Sequence, residues 1–231
     1  MGQKVNPIGV RLGYNKNWQS HWFSEHQFSE FLQQDALIKT IVTKRYPRSG
    51  VSSIEIFRNR GDIGVAIHTA KPGVIIGRSG IGAQDLKATL EKALFKGQPT
   101  GKGNSLRISI IEVKSPELSA QLVAENIAGQ IERRISVKRA MKQAVERTME
   151  KRAHGIKIRV SGRLGGAEIA RSEVISNGSI PLQTIRSDIN YAQAEAHTTY
   201  GIVGIKVWVY LGVLDTMPME NTMEQSSRKA R

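Results

Sequence analysis

The residues best placed to do chemistry lie in Val74-Ile75-Ile76-Gly77-Arg78-Ser79-Gly80-Ile81-Gly82. A short apolar run ends at two glycines flanking Arg78 and Ser79. Leu86, Leu90, Ala93 and Leu94 then recur at helical spacing. Glycine at 77 and 80 lets the chain bend sharply and lets a second backbone approach with no Cβ in the way. Amides opening the following helix carry partial positive charge suited to a phosphate, and Arg78 adds a full charge. A tight turn before a helix is the simpler reading of any such glycine pair, so its surroundings must decide.

A second concentration runs from Glu132 to Arg152, with eight basic residues against three acidic ones. On a helix, Arg134, Lys138 and Lys142 stack at i, i+4 and i+8 with Arg133 beside them. Arg139, Arg147 and Lys151 make a neighbouring row. Four helical residues rise about 6 Å, close to the phosphate spacing of an extended single strand. A solvated face is the alternative, but such faces interleave acids to make i, i+4 pairs, and here few do. Lys157 and Arg159 alternate with apolar neighbours and lead to Ser161, Arg163 and a glycine pair; Arg171 and Arg186 add further charge. Residues 1–19 carry Lys4, Arg11 and Lys16 and no acid. Their glycines and Pro7 discourage regular structure, so this arm is expected to stay loose and to order against phosphate.

With 34 Lys plus Arg against 20 Asp plus Glu, the chain of 231 residues carries +14, which suits a polyanionic partner. Cysteine is absent, so disulfides and thiolate sites are excluded. No catalytic or metal site is expected: His21, His26, His68, His154 and His197 lack ligand spacing, and the carboxylates do not cluster. Gly97-Gln-Pro-Thr-Gly101-Lys102 has three intervening residues where a phosphate-binding P-loop needs four. Neither a membrane span of about 20 apolar residues nor a signal peptide is evident, and no cofactor is implied.

The positioning elements follow from periodicity. Ser24-Glu25-His26-Gln27 fits a capping box opening a helix to about Lys44. Ile54, Ile56 and Val65, Ile67 alternate about Asn59-Arg60-Gly61-Asp62 as a hairpin. After the glycine turn and its helix, residues 97–104 read as a loop and Leu106, Ile108, Ile110 as a strand. Ser115-Pro116-Glu117 starts a helical region that breaks near Ser136-Val137. Its apolar stripes are Val123, Ile127, Ile131, Ile135 and then Met141, Val145, Met149. Strands are expected at Ile156–Val160, 173–180, 182–191 and 202–211, with a helical turn at 167–171. Trp18, Trp22, Tyr191, Tyr200 and Trp208 could stack on bases, but aromatics are only 6% of the chain and most read as core or edge packing. Scattered cations with few stacking platforms favour shape and phosphate reading of folded RNA over sequence reading of single strands. The fold class is α+β in two domains: a basic arm (1–19), a first domain (20–113), a C-terminal α+β domain with a mainly antiparallel sheet (114–213), and a disordered tail (214–231).

Helix, two strands, Gly-X-X-Gly, helix, strand is an order that resembles the type II KH domain, whose GXXG loop clamps about four backbone nucleotides. Over about residues 2–213 the chain is similar to the family of the third protein of the small ribosomal subunit, whereas the tail beyond 214 matches no pattern of that family. The likeness is carried by Met1-Gly-Gln-Lys-Val-Asn-Pro-Ile-Gly-Val-Arg-Leu-Gly13, Val74–Gly80, Gln130-Ile-Glu-Arg-Arg134, Val160-Ser-Gly-Arg-Leu-Gly-Gly-Ala-Glu-Ile-Ala-Arg171 and Glu195-Ala-His-Thr-Thr-Tyr-Gly201. This resemblance implies a non-enzymatic constituent of the subunit head, bound to ribosomal RNA low in the head beside small-subunit proteins ten and fourteen. It implies a place along the channel through which messenger RNA enters, where Arg133 and Arg134 match the family's paired arginines and Lys138 joins them. There such proteins hold incoming message and help the ribosome open its secondary structure. The expected RNA contacts are Lys4, Arg11, Gly77, Arg78, Ser79, Gly80, Arg133, Arg134, Lys138, Arg139, Lys142, Lys157, Arg159 and Arg163. The expected location is the cytoplasm, or an organelle stroma if the chain is organelle-encoded. A free KH regulator of messenger RNA and a nuclease or lyase are the competing classes. Sedimentation away from ribosomes would favour the first, and cleavage above background the second.

Overall fold

The computed structural model describes residues 4–47, 49–59, 62–95 and 105–214. In chain order its elements are α1 (Pro7–Arg11), β1 (Ser20–His21), α2 (Phe28–Arg45), β2 (Val51–Asn59), β3 (Asp62–Thr69), α3 (Pro72–Ile76), α4 (Ile81–Phe95), β4 (Ser105–Glu112), α5 (Ala120–Glu132), α6 (Val137–Glu150), β5 (Gly155–Gly162), β6 (Arg171–Gly178), β7 (Ser187–Thr198) and β8 (Gly201–Val213). They divide into two compact units. One is residues 18–114, and the other joins the segment through Asn17 to the chain from Ser115 onward.

In the 18–114 unit the sheet order is β1-β2-β3-β4. β2 and β3 are antiparallel, while β1 with β2 and β3 with β4 are parallel. Parallel neighbours need a crossover, and α3, the glycine turn and α4 supply it. Ile54 and Ile56 of β2 and Val65 and Ile67 of β3 meet Ile38 and Val42 of α2, Ile75 of α3, and Leu86, Leu90 and Leu94 of α4 in one core. The α2 helix starts at Phe28, not at Ser24. Ser24 Oγ accepts the Gln27 N–H at 3.0 Å and holds a turn ahead of the helix. Trp22 folds back so that its ring lies 5.5 Å from Phe28 and 5.4 Å from Phe31, and its indole N–H donates to Asp35 at 2.8 Å. Buried Asp35 also takes the Arg58 guanidinium at 2.6 Å, satisfying a carboxylate that could not lie unpaired in this core. Trp22 is therefore edge packing, as expected. The expected turn at Arg60-Gly61, the 97–104 loop and the tail beyond Leu214 lie outside the described residues.

In the other unit the sheet order is β6-β5-β8-β7, antiparallel throughout. Ile156, Ile158 and Val160 of β5 and Val203, Ile205, Val207 and Val209 of β8 point to one face. There they pack with Val123, Ile127 and Ile131 of α5 and Ala140, Met141 and Val145 of α6. The helix break falls where expected. Ser115-Pro116-Glu117 instead opens a single 3-10 turn before α5. The strand expected at 182–191 begins only at Ser187, and the helical turn expected at 167–171 is a 3-10 turn at Leu164–Gly166.

One reason for the late start of β7 lies in the first residues of the chain. Asn6 caps α1 by accepting the Ile8 N–H at 2.9 Å, and Arg11, only 1% exposed, enters a cage of carbonyls. Its guanidinium donates to Ser187 O at 2.8 Å, Pro7 O at 2.9 Å, Leu182 O at 3.1 Å and Thr184 O at 2.8 Å. Leu182 and Thr184 thus turn their carbonyls to Arg11 instead of to a strand partner. Asn15 Nδ2 donates to Ile185 O and Ser187 O, both at 3.1 Å, and Lys16 pairs with Asp188 at 2.5 Å. The expectation of a loose arm is therefore corrected for residues 4–17. So is the RNA contact expected of Arg11, because its donors are already spent on protein carbonyls. Burial lowers the Arg11 pKa from its ordinary value, and the Asp188 charge opposes that shift.

Candidate nucleic-acid interface

The glycine turn has the backbone that its composition demands. Gly77 (φ 68°), Ser79 (φ 53°) and Gly80 (φ 78°) all take positive φ, a conformation that costs a non-glycine residue of order 1 kcal/mol. A Cβ on Gly77 would come 3.2 Å from the Gly82 nitrogen, whereas one on Gly80 would meet nothing within 4 Å. The space above Gly80 is thus unfilled by the chain, and Arg78 and Ser79 are exposed beside it. The tightest glycine of this segment is Gly82, to which the sequence reading gave no role. A Cβ on Gly82 would lie 2.6 Å from Ile75 O, so Gly82 is what lets α4 start hard against α3. Tyr46 Oη fixes that start by donating to Gly82 O at 3.2 Å.

The basic cluster of the other unit surrounds the α5–α6 turn. The Arg134 N–H donates to Ile131 O at 2.9 Å and the Ile135 N–H to Gln130 O at 3.1 Å, the paired bonds of a Schellman turn. Its left-handed residue, a position usually given to glycine, is Arg134 (φ 62°). Arg134 is therefore not on a helix, and the expected row Arg134-Lys138-Lys142 is interrupted after its first member. α6 begins at Val137 with no acidic residue in its first turn and no side-chain cap. Lys138 and Arg139 instead occupy the positive end of the helix dipole, where cations are disfavoured. Arg133, Arg134, Lys138, Arg139 and Lys142 are all exposed. Among the described residues none of the five is in an ion pair. Such an arrangement concentrates positive potential that an arriving anion relieves.

The remaining expected contacts are dispersed. Lys157 and Arg159 alternate with the inward-facing Ile156, Ile158 and Val160, so they lie on the sheet face opposite α5 and α6. The structure does not bring them to the α6 cluster. Lys157 Nζ sits 5.7 Å from the Trp208 ring centroid, and Trp208 packs on Tyr191 with centroids 5.2 Å apart. Both aromatics are half-buried on that face, as packing residues. Arg163 is exposed, yet it donates to Ala167 O at 2.9 Å and Tyr200 O at 3.3 Å and pins its turn to the β7–β8 turn. Lys4 is exposed. Tyr200, read as packing, is 56% exposed. Among the described residues no group of three or more His, Asp or Glu side chains could hold a metal ion, and no helix is long and apolar enough to cross a membrane.

A KH unit with a positively flanked glycine turn, joined to a helix-backed antiparallel sheet carrying uncompensated cations, defines an RNA-binding protein. Comparison with known proteins makes this specific. A family model described as KH domain matches residues 37–118, and one described as ribosomal protein S3, C-terminal domain, matches residues 127–209. The chain is 50% identical over 216 residues to small ribosomal subunit protein uS3 of Lawsonia intracellularis, covering 93% of this chain and 98% of that one. It is 53% identical over 212 residues to uS3 of Roseiflexus sp., covering 92% and 78% respectively. With uS3 of Bacillus cytotoxicus it is 47% identical over 229 residues, 99% and 100% of the two chains. The chain belongs to the uS3 family of small ribosomal subunit proteins. It is thus a non-enzymatic part of the ribosome that binds small-subunit ribosomal RNA.

Proposed function

We propose that the α5–α6 turn and the start of α6 hold messenger RNA where it enters the small subunit. Arg133, Arg134, Lys138, Arg139 and Lys142 grip single-stranded phosphates there and assist the opening of structured message. The observation that carries this reading is the inverted charge at the α6 N-terminus, five exposed cations around a first helical turn that has neither an acid nor a side-chain cap. Translocation supplies the work, and the cations bias it by favouring the unpaired strand. The resemblance noted above adds the setting: ribosomal RNA low in the head, beside small-subunit proteins ten and fourteen, in cytoplasmic ribosomes. The Gly77–Gly80 turn contributes a second contact, to ribosomal RNA. Ribosomes carrying Arg133→Ala, Arg134→Ala and Lys138→Ala together are expected to slow on a messenger with a stable hairpin and to read an unstructured one at the usual rate. Equal rates on both messengers would refute the reading.

A further inference from the structure

Beside the same turn the C-terminal unit contains a cleft of about 680 Å³. Three connections meet around it: the α5–α6 turn, the Leu164–Gly166 turn and the β7–β8 turn. We propose that this cleft is a nucleotide pocket, in which one unpaired ribonucleotide of a bound strand stacks its base on Tyr200 and sets its phosphate between Arg134 and Lys138.

The chemistry is laid out by position. Arg134, Lys138, Arg163 and Arg171 converge on the cleft from separate segments of the chain, and Ile131, Leu164 and Val203 give it an apolar floor. Of its two acids, Glu173 faces Arg171 at 3.6 Å, and Glu132 Oε1 accepts the His197 N–H at 3.0 Å, which orients that carboxylate without neutralising it. Among the described residues Arg134, Lys138 and Arg163 are in no ion pair and the Arg163 partners are neutral carbonyls, so four cations face two acids across the cleft. Ser136, Val137 and Lys138, the uncapped start of α6, line the same space, so helix amides add to the positive potential.

Tyr200 supplies the aromatic surface. One side of its ring rests on Gly166, where a Cβ would lie 3.0 Å away, and Arg163 lies 5.8 Å from the centroid. The residue is 56% exposed, which leaves part of the ring accessible to a base. The volume falls within the 300–1,000 Å³ range of small-ligand sites. Cations, an apolar floor and an open aromatic face are what a single nucleotide requires.

This inference rests on the reading of the α5–α6 turn as a message-binding element, and the test separates the two. A single-stranded RNA dodecamer substituted with 4-thiouridine is photo-crosslinked to the full chain, and its affinity is measured by competition. The expected adduct is on the peptide containing Tyr200. Tyr200→Phe is expected to keep the affinity, and Tyr200→Ala to weaken it about 5- to 150-fold, the range for loss of one base stack. Thermal melts of both variants should match the parent, since the side chain is largely exposed. If Tyr200→Ala leaves affinity unchanged while Arg133→Ala, outside the cleft, weakens it, the pocket is wrong and the message-binding reading survives. If neither variant weakens binding, both fall. Adducts confined to other peptides, or a protein neighbour in place of RNA at Tyr200 in the intact subunit, would also overturn the pocket.

Discussion

Arg134 combines two roles that a substitution can separate. It provides charge, and it occupies a left-handed backbone position (φ 62°) that costs a residue with a Cβ of order 1 kcal/mol. Arg134→Gly is therefore expected to weaken binding of single-stranded RNA while thermal stability holds or rises by up to about 1 kcal/mol. A variant that melts early would show the side chain to be structural instead. Arg11 is the converse case, a cation expected to meet RNA that its carbonyl cage withholds from it. Arg11→Ala leaves the carbonyls of Pro7, Leu182, Thr184 and Ser187 without their donor, at a cost of about 3 kcal/mol or more. Arg11→Lys should recover little, because an ammonium cannot reproduce the planar fork. Denaturant unfolding checks this, and an Arg11→Ala variant as stable as the parent would discard the cage. Both arginines fall in stretches whose net charge is positive, and sequence alone assigns both to RNA. Only contacts made with residues 170 or more positions away distinguish them.

At the scale of elements, α5 carries a carboxylate in an unfavourable place. Partial burial raises the Glu125 pKa from its ordinary value, opposed by the hydrogen bond that Gln121 donates to it at 2.7 Å. A raised acid binds more protons folded than unfolded. Its cost is therefore full above the folded pKa, shrinks as pH falls through the window between the folded and ordinary values, and vanishes below the ordinary one. Glu125→Gln, which still accepts from Gln121, is expected to raise the melting temperature at neutral pH. The gain over the parent should shrink as the solution is acidified toward pH 4, and a pH-independent difference would contradict the burial argument. Most elements were legible in advance, because α2, α4, α5, β5 and β8 bury stripes of the right period. The misplaced boundaries share one cause: residues 24–27, 116–118 and 180–186 satisfy their backbone groups with local turns or distant side chains, which leaves no periodic trace.

For the molecule as a whole, the same Arg133, Arg134 and Lys138 triple variant has a quantitative signature. Binding to a single strand loses roughly 0.7 log units of affinity per log unit of salt for each phosphate neutralised. If each of the three cations neutralises one phosphate, the slope should fall by roughly 2, with Arg11→Lys leaving it unchanged. A net charge of +14 fixes the class of partner but not the positions that meet it. Lys157 and Arg159 were grouped with the α6 cations by composition, and pleat alternation sends them to the opposite side of the sheet. Arg171 counted only as added charge and Tyr200 read as packing, because nothing in their spacing joins them in one site. They border a cleft only because β6 and the β7–β8 turn are brought to the same end of the sheet.

By itself the order of residues determined the class of fold, the polyanionic partner and the family, since these rest on apolar period, net charge and runs of identity, which are local or additive quantities. The tertiary structure alone decided which cations remain available, which are locked onto carbonyls, and which line one cleft. Those outcomes depend on hydrogen bonds and packing between residues far apart in the chain, and no local pattern encodes them.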